Sequence, residues 1–211
     1  MSGIALIDYG MGNLMSVSHA LGYVGGNVRL VRKPDEAKGA EGLILPGVGA
    51  FGDGMRHLDS AGWSDFLREK ASSGIPFLGI CLGMQMLLDS SEESPGVPGL
   101  GIIPGQVLRF PEAGLKVPQI GWNSIVPAEN IPCFKGIKKD AFFYFVHSYY
   151  VRPDDPADSA AVCHYMIDFT AAVRRGNIFA VQFHPEKSQE CGLTVLRNFV
   201  ELCGKGKGAS C

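Results

Sequence analysis

Apolar positions in the first half of the chain switch between two periods. Residues 4–9 form a short apolar run, as a buried strand does, and Leu14, Val17, Leu21 and Val24 then recur three to four apart, as on a helix. Gly25-Gly26 stops that helix. Residues 28–31 and 42–45 read as a second and a third strand, the latter closed by Pro46-Gly47. Trp63, Phe66, Leu67 and Ala71 predict an amphipathic helix that ends at Ser73-Gly74. Residues 76–80 form a fourth strand that runs straight into an apolar helix over 82–88. Strand and helix alternating at this spacing imply right-handed crossovers and a parallel sheet with helices on both faces.

Between about Glu92 and Gly105 the texture turns to Pro, Gly and Ser with short apolar pairs. Short strands are then expected over 106–110, 121–126, 142–151, 160–166 and 178–182, antiparallel or mixed around the parallel centre. A final helix starts near Ser188, with Leu193, Leu196, Phe199, Val200 and Cys203 inward. The expectation is one α/β domain over residues 1–203, with a central mostly parallel sheet, followed by a flexible tail over 204–211.

Composition narrows the function classes. The 211 residues are 46% hydrophobic and 19% charged, ordinary globular usage, with a formal net charge of −2. No segment is densely basic, which argues against a nucleic-acid groove or a polyanionic surface as partner. No apolar stretch reaches the 18 or so residues of a membrane helix, and residues 1–8 lack the basic start of a signal peptide. Six cysteines show no CxxC pair and no regular spacing, so neither metal nor disulfide framework is expected; a reduced, cytoplasmic protein fits. The 28 glycines lack any G-X-Y period and point to tight turns and close backbone approaches.

The sharpest chemical signal is Gly79-Ile80-Cys81-Leu82-Gly83, between a strand and a helix. It is a nucleophile elbow with Cys in the place of Ser: flanking glycines let the backbone turn, and a helix start offers N–H groups and a partial positive charge that favour thiolate. Such a thiolate needs an imidazole held by a third group. Of five histidines, His184 is the best placed, in Phe183-His184-Pro185-Glu186, where Glu186 in an extended segment would face the same side as the ring. His147 ends an aromatic run, whereas His19, His57 and His164 read as structural or surface residues. The loop Pro46-Gly47-Val48-Gly49 can aim backbone N–H groups at an oxyanion. It is no Walker loop, and Gly10-Met11-Gly12 is no dinucleotide fingerprint because Met15 stands where the third glycine would be.

Together the segments 79–85 (Gly-Ile-Cys-Leu-Gly-Met-Gln), 46–49 (Pro-Gly-Val-Gly) and 183–186 (Phe-His-Pro-Glu) resemble class I, triad-type glutamine amidotransferases. Residues 7–13, 117–123, 144–150 and 184–188 narrow the resemblance to the glutaminase subunits of imidazole glycerol phosphate synthases. It runs from about residue 3 to 203, and Gln119 departs from it where that family more often has His. The resemblance implies a flavodoxin-like amidotransferase fold and hydrolysis of glutamine to glutamate and ammonia through a γ-glutamyl thioester on Cys81. It implies His184 as base and acid, Glu186 as its orienter, and an oxyanion site from Gly47, Val48, Gly49 and Leu82. Glutamine contacts would come from Gly49, Gln85, Glu93, His147, Ser148 and Tyr149. It further implies no cofactor and a separate (β/α)₈ cyclase that receives the ammonia in histidine biosynthesis, as a heterodimer docked on Asn13, Gln119, Trp122, Asn123, Tyr144 and Lys187. The rival readings are a paralogous glutaminase serving another synthase, a non-catalytic regulatory subunit, and a stand-alone cysteine hydrolase. The intact Cys81, His184 and Glu186 argue against the second, and residues 117–123 and 144–150 against the third.

Overall fold

A computed structural model describes residues 3–112 and 114–205. Strand β1 (Ile4–Ile7) leads to helix α1 (Leu14–Tyr23), then β2 (Val28–Val31) and β3 (Gly42–Leu45). Helices α2 (Phe51–Ser60) and α3 (Trp63–Ser72) precede β4 (Phe77–Ile80) and the one-turn helix α4 (Leu82–Gln85). Next come β5 (Ser90–Ser91), β6 (Gly105–Arg109), β7 (Gln119–Pro127), β8 (Ala141–His147) and β9 (Tyr149–Pro153). The chain closes with β10 (Ser159–Tyr165), β11 (Ile167–Arg175), β12 (Ile178–Val181) and α5 (Gln189–Lys205).

Five strands run parallel in the order β2-β1-β3-β4-β12, with Leu43 opposite Phe77 and Ile178 opposite Phe77 from the other side. This is the doubly wound order of flavodoxin-like sheets, whose sites form at the carboxyl ends of the strands. From β12 the sheet continues antiparallel through β11, β10, β7 and β8, and β9 carries β6 and β5 on a side branch.

The parallel strands are buried on both faces because alternate side chains enter different cores. Ile4, Leu6, Ile44, Leu78, Ile80, Phe179 and Val181 pack with Val17 and Leu21 of α1 and Val195, Leu196 and Phe199 of α5. Ala5, Ile7, Leu43, Leu45, Phe77 and Ala180 pack with Met55 and Leu58 of α2 and Trp63 and Leu67 of α3. Among the described residues no helix is long and apolar enough to cross a membrane.

Several expectations needed correction. Helix α2 was unforeseen: Phe51, Met55 and Leu58 hold helical spacing and are buried, but Gly52, Asp53 and Gly54 lower the local propensity. Gly54 is there for a close approach, since a Cβ would lie 2.7 Å from the Met86 sulfur. The expected helix over 82–88 is helical only to Gln85, and β11 was missed altogether. The expected strand over 142–151 is two strands, because the chain changes partner at Ser148: His147 pairs with Gln119 of β7, and Tyr149 pairs with Arg109 of β6. Helix α5 extends through Gly204 and Lys205, the first two residues of the expected tail; positions 206–211 lie outside the described residues.

Candidate active site

The carboxyl ends of β3, β4 and β12 converge on one cavity of about 280 Å³. It is lined by Val48, Gly49, Cys81, Leu82, Gln85, Glu93, Pro118, Val146, His147, Ser148, Tyr149 and His184.

Cys81 follows the last residue of β4 with φ 55° and ψ −113°, a conformation that L-residues rarely adopt. The strain is held from both sides. The Cys81 amide donates to the Val181 carbonyl at 2.8 Å, and the Cys81 carbonyl accepts from Met84 and Gln85 at 3.0 and 3.2 Å. Gly83 is required by packing, for a Cβ there would overlap the Leu45 carbonyl oxygen. With only four residues in α4, the macrodipole expected behind the nucleophile shrinks to the local N–H groups of one turn.

His184 follows β12, is 2% exposed, and its Nδ1 lies 2.9 Å from Glu186 Oε1. The pairing was expected from extended backbone, but residues 185–187 form a 3₁₀ turn that begins at Pro185 and swings Glu186 back under the ring. The buried Nε2 has no hydrogen-bond partner in ordinary geometry. Burial opposes charge on this imidazole, yet its interactions with Cys81 and Glu186 prevail and raise its pKa to about 9. The ring therefore holds its proton at neutral pH, in the wall of the same cavity that Cys81 lines.

Around this pair the expected contacts are unevenly placed. Val48, Gly49 and Leu82 line the cavity, whereas Gly47 lies behind the loop, close to the Tyr9 hydroxyl. Glu93 reaches the cavity, but its Oε2 is occupied, accepting the Phe51 amide at 2.7 Å where α2 begins. His147 Nδ1 donates to the Tyr149 carbonyl at 2.8 Å. Burial drives its pKa down to about 4, with His184 adding to the effect against the Tyr149 hydrogen bond, so the ring is neutral. Nε2 of His147 then offers a lone pair to the Gln119 carboxamide 2.9 Å away, which meets the neutral ring with its NH₂.

Of the expected docking residues, Gln119 alone is withdrawn from the surface, and the others make differing contacts. Gln119 is 3% exposed and turned to His147, so its side chain is not available to a partner. Asn13 caps α1 by accepting from Ser16, and Asn123 donates to the His164 carbonyl at 2.8 Å. Trp122, Tyr144 and Lys187 do cluster: the two rings meet edge to face at 6.2 Å, and the Lys187 ammonium sits 5.8 Å from the Tyr144 centroid. Ile120, Trp122, Val126 and Phe142 project from the same face and are exposed.

Sequence reasoning missed two residues at the site. Gln182 is fully buried, and its Nε2 lies 3.8 Å from Cys81 Sγ. Tyr9 is buried with no partner for its hydroxyl, and burial together with the Cys81 charge pushes its ionisation up, so it stays a neutral phenol. Gln182 precedes Phe183-His184 directly, and Tyr9 stands within the segment 7–13 that carries part of the resemblance; those were the available signals. The thiols of Cys133, Cys163 and Cys203 are pushed up to about 12, chiefly by burial, so they are inert beside Cys81. Among the described residues no cluster of His, Cys, Asp and Glu is able to hold a metal.

The sequence pattern of the family Glutamine amidotransferase class-I matches residues 5–202. The imidazole glycerol phosphate synthase subunit HisH of Moorella thermoacetica is 49% identical over 202 residues, 96% of each chain. That of Methanosarcina acetivorans is 50% identical over 206 residues, covering 96% of this chain and all of the relative. Among solved structures, one described as a glutamine amidotransferase superposes with a TM-score of 0.75 at 23% identity, over 95% of this chain and 98% of its own. A second, a putative GMP synthase component from Thermoplasma acidophilum, gives 0.72 at 20% identity, over 99% and 96%. At those identities the two structures speak for the fold.

Proposed function

Since this chain belongs to the class-I glutamine amidotransferases, we propose that its Cys81–His184–Glu186 cluster hydrolyses glutamine to glutamate and ammonia. The chain is the glutaminase subunit of an imidazole glycerol phosphate synthase, an enzyme of histidine biosynthesis, in keeping with relatives about 50% identical over nearly the full length. The single observation that carries the triad is the buried His184, held by Glu186 and kept charged beside Cys81.

The Cys81 sulfur attacks the side-chain carbonyl carbon of glutamine, and the carbonyl oxygen takes the negative charge. The N–H groups of Leu82 and Val48, from the two walls of the cavity, receive that charge, with Gly47 and Gly49 giving the loop its freedom. The C–N bond breaks as His184 Nε2 gives its proton to the departing nitrogen, leaving a γ-glutamyl thioester and ammonia. His184 next takes a proton from water, whose oxygen attacks the thioester; glutamate leaves and the thiol is restored. Glu186 fixes the ring through Nδ1 in every step. Gln85, Gly49, Glu93 and the segment His147-Ser148-Tyr149 hold the substrate.

Ammonia in neutral water is mostly protonated and no longer nucleophilic, so the product is useful only if passed on out of bulk solvent. A (β/α)₈ cyclase docked on the Trp122–Tyr144–Lys187 face is the acceptor, in a cytoplasmic heterodimer. The test is ammonia release from glutamine by the purified chain, alone and with the purified cyclase and its nucleotide. Low activity alone and strong activity in the complex are expected, with 6-diazo-5-oxo-norleucine labelling Cys81 and no other thiol. Labelling elsewhere, or none in the complex, refutes the assignment.

A further inference from the structure

One buried side chain touches the nucleophile and has no part in the triad. Gln182 lies one residue beyond the β12–β4 pairing of Val181 with Ile80, which sets it beside Cys81. It is fully buried, and its Nε2 is 3.8 Å from the Cys81 sulfur, within the range of an N–H···S hydrogen bond. Which end of a carboxamide faces a neighbour is decided by its other partners, and here they decide it. The Tyr149 carbonyl oxygen can only accept, so the Gln85 atom 3.1 Å from it is the nitrogen. That same Gln85 nitrogen lies 3.0 Å from Gln182, which therefore turns its oxygen to Gln85. The NH₂ of Gln182 is left to face the sulfur. A backbone carbonyl of β9 thus orients, through two glutamines, a donor aimed at the nucleophile.

We propose that Gln182 is a positioning residue for the glutaminase reaction, its N–H fixing the direction of the Cys81 sulfur and favouring the thiolate over the thiol. A donor to sulfur is stronger when the sulfur is anionic, so it stabilises the reactive form selectively. Because Gln85 lines the glutamine cavity and orients Gln182, a substrate bound to Gln85 acts on the same chain of hydrogen bonds. The titratable groups near the sulfur are His184 from the end of β12, Glu186 behind it, and Tyr9 from the end of β1; His147 and Glu93 line the same cavity. None of them duplicates a neutral N–H donor that does not itself titrate.

The role rests on the glutaminase reading, but its test uses no glutamine and so fails or succeeds separately. The rate of Cys81 alkylation by iodoacetamide is followed against pH on the full chain, with the Cys81 peptide resolved by mass spectrometry. In Gln182→Met, which keeps length and volume but has no donor, the midpoint of the Cys81–His184 pair is expected to rise by about one pH unit, roughly tenfold slower alkylation below it. Gln182→Glu keeps the acceptor but loses the N–H when ionised, and the midpoint is expected to rise at least as far. Midpoints unchanged in both folded variants overturn the proposal. If either variant fails to fold, the unaltered chain decides: the Gln182 carboxamide protons are expected to shift in NMR spectra with the Cys81 midpoint, and not in Cys81→Ala. Resonances that ignore the titration overturn it as well.

Discussion

Nδ1 of His184 stands 2.9 Å from Oε1 of Glu186 although a single proline separates the two residues. That closeness comes from the 3₁₀ turn over 185–187, and both side chains are buried by it, at 2% and 1% exposure. In Glu186→Gln the ring loses one of the two interactions that raise its pKa to about 9, so that pKa falls. The alkaline limb of the glutaminase pH profile is expected to move to lower pH, and kcat to fall on the order of a hundredfold or more. A profile with an unmoved alkaline limb contradicts this role.

Gly83 faces a backbone oxygen, which no rotamer change can move. Gly83→Ala is expected to cost about 1–3 kcal/mol, lowering Tm by roughly 3–10 °C for a chain of this size, and to reduce glutaminase activity by displacing Leu82. Differential scanning calorimetry checks the first effect. An unchanged Tm shows that the Leu45–Gly83 contact is slack.

Trp122 is 46% exposed on an apolar face, so it contributes little to the fold of the isolated chain. Trp122→Glu is expected to leave Tm nearly unchanged and to weaken binding of the cyclase subunit by about thirtyfold or more, as loss of a central aromatic anchor does. Scanning calorimetry gives the first number and titration calorimetry the second, and unchanged affinity places the partner elsewhere.

His147 carries an acid sensitivity of the fold. Its buried ring resists the proton that an unfolded chain takes up below about pH 6.5, its folded value being about 4. Between those values the unfolded state binds more protons, so this contribution to stability is complete above pH 6.5 and declines as pH falls towards 4. In His147→Gln, urea denaturation at a series of pH values is expected to show a flatter acid limb, by on the order of 3 kcal/mol across the window. A limb as steep as the parent's assigns acid loss to other groups.

The parallel half of the sheet was legible because its strands are continuous apolar runs between turn signals, and the gathering of Cys81, His184 and Glu186 because Gly79-Ile80-Cys81-Leu82-Gly83 and His184-Pro185-Glu186 are local. Helix α2 was not, since Gly52 and Gly54 serve packing against residues over thirty positions away and look locally like helix breakers. The break at Ser148 was hidden for a similar reason: it follows from a change of pairing partner, a tertiary event in an unbroken aromatic run. The placement of Gln119 also escaped, because its burial depends on His147, twenty-eight positions on. Residues whose role lies in long-range contact leave no periodic mark.

Strand β7 shows its odd positions Gln119 and Ile125 to the interior and its even positions Ile120, Trp122 and Val126 to the outside. Packing of the interior and the proposed docking face are thus interleaved residue by residue on one segment. Substitutions can tune either duty without touching the other. A single inserted or deleted residue cannot: it would turn every side chain beyond it to the opposite face, sending Trp122 inward and an interior neighbour outward. The segment is therefore free to vary in composition and rigid in length, and an indel scan across 119–126 would abolish docking and glutamine hydrolysis together.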